Sequence, residues 1–163
     1  MDIERIRRDF PALQQYTWFQ NGGVSITPAP VAAEHIRCME EILRRGPLHI
    51  VYPDEEYPRR QKTMAKLATF FGVKAAELAL MRGVSEGFQT VIRGIEWQEG
   101  DEILISEDEE AALLLPALQL RDLHGVKVVK VPLLDDVDQQ VAAVEARLGA
   151  RTKLLALSHV TTD

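Results

Sequence analysis

The spacing of apolar residues divides the chain into a helical first part and a second part in which strands and helices alternate. Apolar positions three and four apart predict a helix from Pro30 to about Arg45 and another that ends near Phe71, each followed by a glycine. A short helix is predicted over residues 2–8 and a proline-rich linker over residues 47–58. The positions expected to face inward are Ala32, Ile36, Met39, Leu43, Met64, Leu67, Ala68 and Phe71.

From residue 77 onward, short apolar runs of strand length alternate with helical patterns. The predicted strands are ELALMRG, GDEILIS, VKVVKVPL and TKLLALSH, and the helices between them are VSEGFQTVIRGI, EEAALLLPALQLRDLHG and DVDQQVAAVEARLG. We expect Asp135 or Asp136 to cap the last helix and Gly149 to close it. This alternation predicts an α/β fold: a three-layer sandwich with a mainly parallel sheet and right-handed crossovers, preceded by a helical N-terminal arm.

Composition and charge exclude several classes of function. The net charge is -6, and acidic and basic residues are interspersed, which argues against a nucleic-acid-binding face. No apolar run approaches the roughly 20 residues of a membrane span, and the first residues lack the apolar stretch of a secretory signal. A single cysteine, Cys38, excludes an intramolecular disulfide, and the four histidines lack metal-ligand spacing. We therefore expect a cytoplasmic protein without a metal, nucleic-acid or membrane partner.

The segment MRGVSEGFQT is the first candidate site. A predicted strand ends there, Gly83 permits a turn, and a helix begins at about Ser85. Free backbone N–H groups and the positive helix end would then point at one spot, where an anion fits. In the alternative interpretation Ser85 is only an N-cap and Glu86 only complements the helix dipole.

Further candidates follow the next strands. SEDEE, residues 106–110, separates a strand from a helix, so a carboxylate there could serve as acid, base or hydrogen-bond acceptor. The alternative is acidic enrichment in a first helical turn. His159, Thr162 and Asp163 follow the last strand, at the edge where α/β sheets bind ligands. The Gly-Gly turn of QNGGVSITP is either a place where the backbone can approach a ligand closely or a plain turn.

Taken in order, these segments resemble class V aminotransferases, the fold-type I pyridoxal-phosphate enzymes that include cysteine desulfurases and isopenicillin-N-epimerase-like proteins. FQNGGVSITPAPV resembles the family's N-terminal substrate loop, and LATFFGVKAAELALMRGVSEGFQTVIRGIEWQEGDEILIS resembles its cofactor-phosphate segment. The resemblance covers essentially the whole chain. It implies the N-terminal part of the large domain of these enzymes, pyridoxal 5'-phosphate (PLP) as cofactor, an amino acid as substrate, and a homodimer.

The resemblance also implies roles for individual residues. Val84 and Ser85 would bind the cofactor phosphate, largely through backbone N–H groups, and Asn21 and Gly22 would border the substrate. Glu110 stands where the family commonly has a histidine stacked on the cofactor ring. Thr162 stands where desulfurases often have an asparagine, and its hydroxyl would bond the phenolic oxygen of the cofactor.

Two family residues have no match in this chain. These are the lysine that forms the Schiff base and the aspartate that pairs with the pyridinium nitrogen, and both are expected beyond residue 163. The resemblance thus predicts a helical arm with the substrate loop at residues 1–70, and a partial PLP-binding domain at 71–163. By itself this piece is expected to be inactive in transamination, desulfuration, epimerisation or lyase chemistry. The alternative is a genuine short, non-catalytic protein that serves as an interaction module or as half of a split enzyme.

Overall fold

The computed structural model describes residues 2–159 and contains two compact units, Met1–Leu80 and Met81–Asp163. Within the described residues, no helix combines the length and apolar character that a bilayer span requires. The predicted functional boundary between residues 70 and 71 stays a prediction.

The first unit is helical, as its spacing predicts. Its helices are α1 (Ile3–Arg8), α2 (Ala29–Arg45), α3 (Leu48–Val51) and α4 (Pro53–Phe71), with short 3-10 turns at Pro11–Gln14 and Ala75–Glu77. Gly46 and Gly72 follow α2 and α4 with positive φ angles of 85° and 69°, which a glycine adopts without strain. The predicted linker over residues 47–58 is wrong, because α3 and the start of α4 occupy it. Proline suits the first turn of a helix, where its missing N–H has no helical acceptor.

The apolar faces of these long helices are less buried than their spacing predicts. Ala68 is buried, whereas Ile36, Met39, Leu43 and Phe71 are exposed. Ion pairs connect α2 with α4 instead: the Glu41 carboxylate of α2 pairs with Arg37 and Arg45 of the same helix and with Arg59 of α4. Their guanidinium groups, that of Arg59 first, lower the pKa of Glu41. The amphipathic pattern thus predicts the helices correctly but not what covers them.

The second unit holds a parallel sheet with helices between its strands. Its elements are α5 (Val84–Arg93), β1 (Glu102–Ser106), α6 (Ala111–His124), β2 (Lys127–Val131), α7 (Val137–Glu145) and β3 (Thr152–Ala156). The sheet order is β2-β1-β3, with both pairings parallel. The α/β class and the parallel sheet are confirmed. The chain moves from β1 to β2 in one direction across the sheet and from β2 to β3 in the other. Because both crossovers are expected to be right-handed, their helices α6 and α7 lie on opposite faces of the sheet.

Burial in this unit centres on β1. Ile103 and Ile105 form a core cluster with Ile92 of α5 and with Ala117 and Leu120 of α6. Leu104 points to the other face of the sheet and is also fully buried. A strand buried on both faces reads as a continuous apolar run, and ILI is such a run.

Two boundaries differ from the prediction. ELALMRG is not a strand: Leu78 has extended backbone angles, but residues 78–82 pair with no strand among the described residues. An apolar run becomes a strand only where another strand offers hydrogen bonds. Helix α7 ends at Glu145 with Ala146 as its C-cap, so Gly149 lies three residues beyond the cap and does not close the helix. Asp136 caps α7 as expected, accepting a hydrogen bond from the backbone N–H of Gln139 at 2.9 Å.

Candidate functional site

Helix α5 begins one residue earlier than the sequence predicts, and this changes the role of Ser85. Gly83 is the N-cap and makes no side-chain cap bond, while Val84 and Ser85 are the first two helical residues. The interpretation of Ser85 as an N-cap is therefore wrong. The first backbone N–H groups of a helix have no acceptor within it, so those of Val84, Ser85 and Glu86 point out of the helix start. This geometry suits an anion such as a phosphate.

The charges around this helix start are arranged by Arg82 and Glu86. One carboxylate oxygen of Glu86 accepts a hydrogen bond from the backbone N–H of Arg82 at 2.6 Å, and the other pairs with its guanidinium at 3.1 Å. The backbone N–H first, and then the guanidinium, lower the pKa of Glu86. Glu86 therefore remains ionised in the first helical turn, where it complements the helix dipole.

An open cleft of about 360 Å³ joins the start of α5 to the start of α6. Its lining consists of Ser85, Gln89, Ala111, Ala112, Leu115, Pro116 and Gln119. The small side chains of Ala111 and Ala112 leave the space open opposite Ser85. The start of α5 and the start of α6 thus meet at one cleft.

Glu110 stands at the start of α6. It is the N-cap residue, but its side chain makes no cap bond, and no acidic residue lies in the first turn of α6. The alternative interpretation of SEDEE as acidic enrichment in a first turn is therefore wrong. The Oε1 atom of Glu110 is buried and has no hydrogen-bond partner among the described residues. A buried oxygen without a partner is costly, so a bound donor there would stabilise the site.

Glu109 is a residue to which sequence reasoning assigned no role. Its carboxylate accepts hydrogen bonds from Ser106 at the end of β1, from the backbone N–H of Glu110, and from Ser158 after β3. The acidic run SEDEE is a signal for such a residue, and its Glu109-Glu110 pair stands where the family it resembles commonly has Glu-His. It does not indicate which carboxylate faces inward, because that depends on the residue at which α6 begins.

The remaining predicted site residues lie after β3 or in the first unit. His159 follows Ser158 outside any helix or strand, and Thr162 and Asp163 lie outside the described residues. Asn21 and Gly22 belong to the first unit. There Asn21 accepts a hydrogen bond from the Ser25 hydroxyl at 3.3 Å, and a side chain at Gly22 would meet open space. Their role at the substrate stays a prediction.

Comparisons with known proteins agree with this architecture. The family model for aminotransferase class V matches residues 55–163. A cysteine desulfurase of Pectobacterium atrosepticum is 29% identical, and the match covers 98% of this chain and 42% of that protein. The chain therefore spans about two fifths of the length of the curated relatives it matches.

Solved structures give the same result. The cystine C-S lyase C-DES in complex with its reaction product cysteine persulfide is 28% identical, with a TM-score of 0.80 and coverage of 94% of this chain and 41% of that one. A C-DES mutant with glycine covalently linked to the PLP cofactor is 27% identical, also with a TM-score of 0.80, and is covered to 41%. The family model, the similar sequences and the similar folds are consistent with one another, and the chain belongs to the aminotransferase class V family.

Proposed function

We propose that this chain forms part of a PLP-dependent enzyme that acts on a sulfur-containing amino acid. The observation that carries the proposal is the free start of α5 beside the cleft that reaches Ala111 and Ala112. Support for the chemistry comes from relatives named as a cysteine desulfurase and a cystine C-S lyase. Transamination and epimerisation are the other reactions that the family resemblance implies.

The residues present fit PLP in two respects. The start of α5 presents backbone N–H groups and a positive dipole to a phosphate. The partnerless Oε1 atom of Glu110 marks a place where a bound group would supply a hydrogen bond. When bound, the cofactor supplies an electron sink for the bonds at the α-carbon of an amino acid.

Each residue then has a defined task in the proposal. Val84 and Ser85 bind the phosphate through their backbone N–H groups, with the Ser85 hydroxyl as a further donor. Glu110 borders the ring in place of a histidine, so contact there is through a carboxylate rather than a stacked imidazole. Thr162 bonds the phenolic oxygen, and Asn21 and Gly22 border the substrate.

The lysines of this chain do not fit the task of anchoring the cofactor. They stand at positions 62, 66, 74, 127, 130 and 153, and none matches the lysine context of the family. The proposal therefore assigns residues 1–70 to an arm with the substrate loop, and 71–163 to phosphate and ring binding. The proposal assigns proton transfer to no residue of this chain, so the 163 residues alone should show no desulfurase activity.

Exposed apolar side chains favour association with a protein partner. Leu43 is 85% exposed and Phe70 is 82% exposed, both on helices of the first unit. The first unit exposes many further large apolar side chains, and extensive exposed apolar surface marks a contact site for another protein. We propose that the assembly is a homodimer in the cytoplasm. The second candidate function, a non-catalytic interaction module, rests on the same exposure.

Equilibrium dialysis with PLP and with pyridoxal, which lacks the phosphate, tests the proposal. We expect saturable PLP binding at least about tenfold tighter than pyridoxal binding, because two or more charge-assisted bonds are lost with the phosphate. Ser85→Asp should weaken PLP binding about tenfold or more by placing a like charge at the helix start. Ser85→Ala should have a smaller effect, because the backbone N–H groups remain.

Ala142→Asp is the matched control, since it adds the same charge at an exposed position of α7, on the other face of the sheet. It should leave PLP binding unchanged. Equal affinity for PLP and pyridoxal would contradict the phosphate site at α5. No binding of either compound would favour the interaction module.

A further inference from the structure

The carboxylate of Glu109 joins the ends of two neighbouring strands. Its Oε2 atom accepts hydrogen bonds from the Ser106 hydroxyl at 3.0 Å and from the Ser158 backbone N–H at 3.1 Å. Its Oε1 atom accepts from the Glu110 backbone N–H at 3.0 Å and from the Ser158 hydroxyl. Four donors from the β1 end, the start of α6 and the segment after β3 thus converge on one side chain.

These bonds continue the sheet beyond its last backbone pairing. The register of β1 and β3 ends at Ile105 with Ala156. Past that point the strands separate, since β1 leads into α6. In parallel α/β sheets ligands bind at the carboxyl ends of the strands, and the gap between β1 and β3 lies at that edge of the β2-β1-β3 sheet. The Glu109 carboxylate lies in this gap.

The two backbone N–H donors reach different oxygens of Glu109, that of Ser158 reaching Oε2 and that of Glu110 reaching Oε1. A carboxylate matches this arrangement because both of its oxygens accept. Glutamine offers only one acceptor oxygen, so its NH2 group would face one of these two backbone N–H groups, donor against donor. Aspartate is one methylene shorter, so it would not reach Ser106 and Ser158 together from the same backbone position.

We propose that Glu109 is a positioning residue, which holds Ser158 and the backbone of Glu110 against the end of β1 and so shapes one wall of the ligand site. Its carboxylate acts through its neighbours and contacts no substrate. The link to PLP rests on the proposed function, whereas the link between the strands does not. The two parts therefore need separate measurements.

Amide hydrogen exchange on the chain without cofactor tests the link between the strands. In Glu109→Gln we expect the N–H groups of Ser158 and Glu110 to exchange at least about tenfold faster, since both lose an ionised acceptor. The N–H groups of Val128 and Val129 in β2 should not change, which separates a local effect from general destabilisation. Glu107→Gln is the matched control, because its carboxylate contacts the backbone N–H of Leu133 on the β2 side at 3.2 Å.

A second variant keeps the test decisive if Glu109→Gln folds poorly. Ser158→Ala removes one donor to Glu109 and leaves the rest of the site intact. It should also accelerate exchange at Glu110, although Glu110 and Ser158 belong to separate segments. Unchanged exchange in this variant and in Glu109→Gln would overturn the proposal.

The induced circular dichroism and affinity of added PLP test the positioning role. Glu109→Gln should weaken PLP binding about fivefold or more and alter the circular dichroism of the bound cofactor, and Glu107→Gln should do neither. Faster exchange with unaltered PLP binding and dichroism would overturn the positioning role. If the wild-type chain binds no PLP, the proposed function fails, while hydrogen exchange still decides whether Glu109 links the strands.

Discussion

Asp101 and Lys153 form an ion pair of 2.9 Å at the amino ends of β1 and β3. The Lys153 ammonium also donates to the backbone carbonyl of Glu96. Glu109 and Ser158 lie at the opposite ends of the same strands. At about 3.3 Å per residue, five-residue strands separate the two edges by roughly 15 Å. Lys153 is therefore engaged in the structure and lies on the wrong edge of the sheet to anchor a cofactor.

Treatment with PLP followed by borohydride reduction should give no single stoichiometric lysine adduct. None of the six lysines matches the family's lysine context, and Lys153 is held by Asp101. Peptide mapping by mass spectrometry should show weak labelling spread over several exposed lysines. Reduction with pyridoxal should label the same sites, since such labelling needs no phosphate site. One fully labelled lysine would contradict this expectation.

The pair formed by Asp101 should make stability depend on pH at acidic values. The backbone N–H of Gln98 first, and the Lys153 ammonium second, lower the pKa of Asp101 below its ordinary value of 3.8. Because the folded-state pKa is the lower one, the stabilisation is complete above that ordinary value. It is lost as the pH falls towards the folded-state pKa.

Asp101→Asn removes this titration. Urea unfolding of both proteins should show the largest difference in the free energy of unfolding above about pH 5 and a shrinking difference towards about pH 3. Glu99→Gln, at an exposed neighbouring position, serves as control. A difference independent of pH would show that Asp101 contributes through packing rather than through its charge.

Two helix starts should respond differently to the loss of an oxygen-bearing side chain. Asp136→Ala should lower the free energy of unfolding by about 1 kcal/mol, because the Asp136 carboxylate caps α7 through the N–H of Gln139. Ser85→Ala should change it by less than about 0.5 kcal/mol, because Ser85 is inside α5 and caps nothing. Denaturant titrations of the two variants give the comparison. Equal losses of unfolding free energy in the two variants would show that Ser85 does act as an N-cap.

The core around β1 should be far more sensitive than the exposed face of α6. Ile105 is fully buried against Ala117 and Leu120, so Ile105→Ala should cost about 2–5 kcal/mol of unfolding free energy. Leu115→Ala is the control, since Leu115 is 62% exposed. It should cost much less. Comparable losses in thermal and urea unfolding would mean that Leu115 is covered in solution, for instance by a partner.

Local patterns were sufficient for most elements of the second unit. The run GDEILIS predicted a strand, and Asp135 or Asp136 before an amphipathic stretch predicted the start of α7. Both signals act over a few residues, through the alternation of side chains and the capping of backbone N–H groups. The same reasoning was wrong for ELALMRG, because pairing with another strand decides whether an apolar run becomes a strand. It was also wrong for Ser85, because helix starts shift easily by one residue.

By itself, the sequence determined the alternation of strands and helices, the parallel character of the sheet, and the family resemblance carried by an ordered series of segments along the chain. Each of these depends on neighbours along the chain. Only the tertiary structure decided that Glu109 faces Ser158 across 49 positions and that Glu110 is left with a buried oxygen lacking a partner among the described residues. These relations arise where β1 and β3 come side by side, and the strand order that brings them together is set by long-range packing rather than by any local pattern.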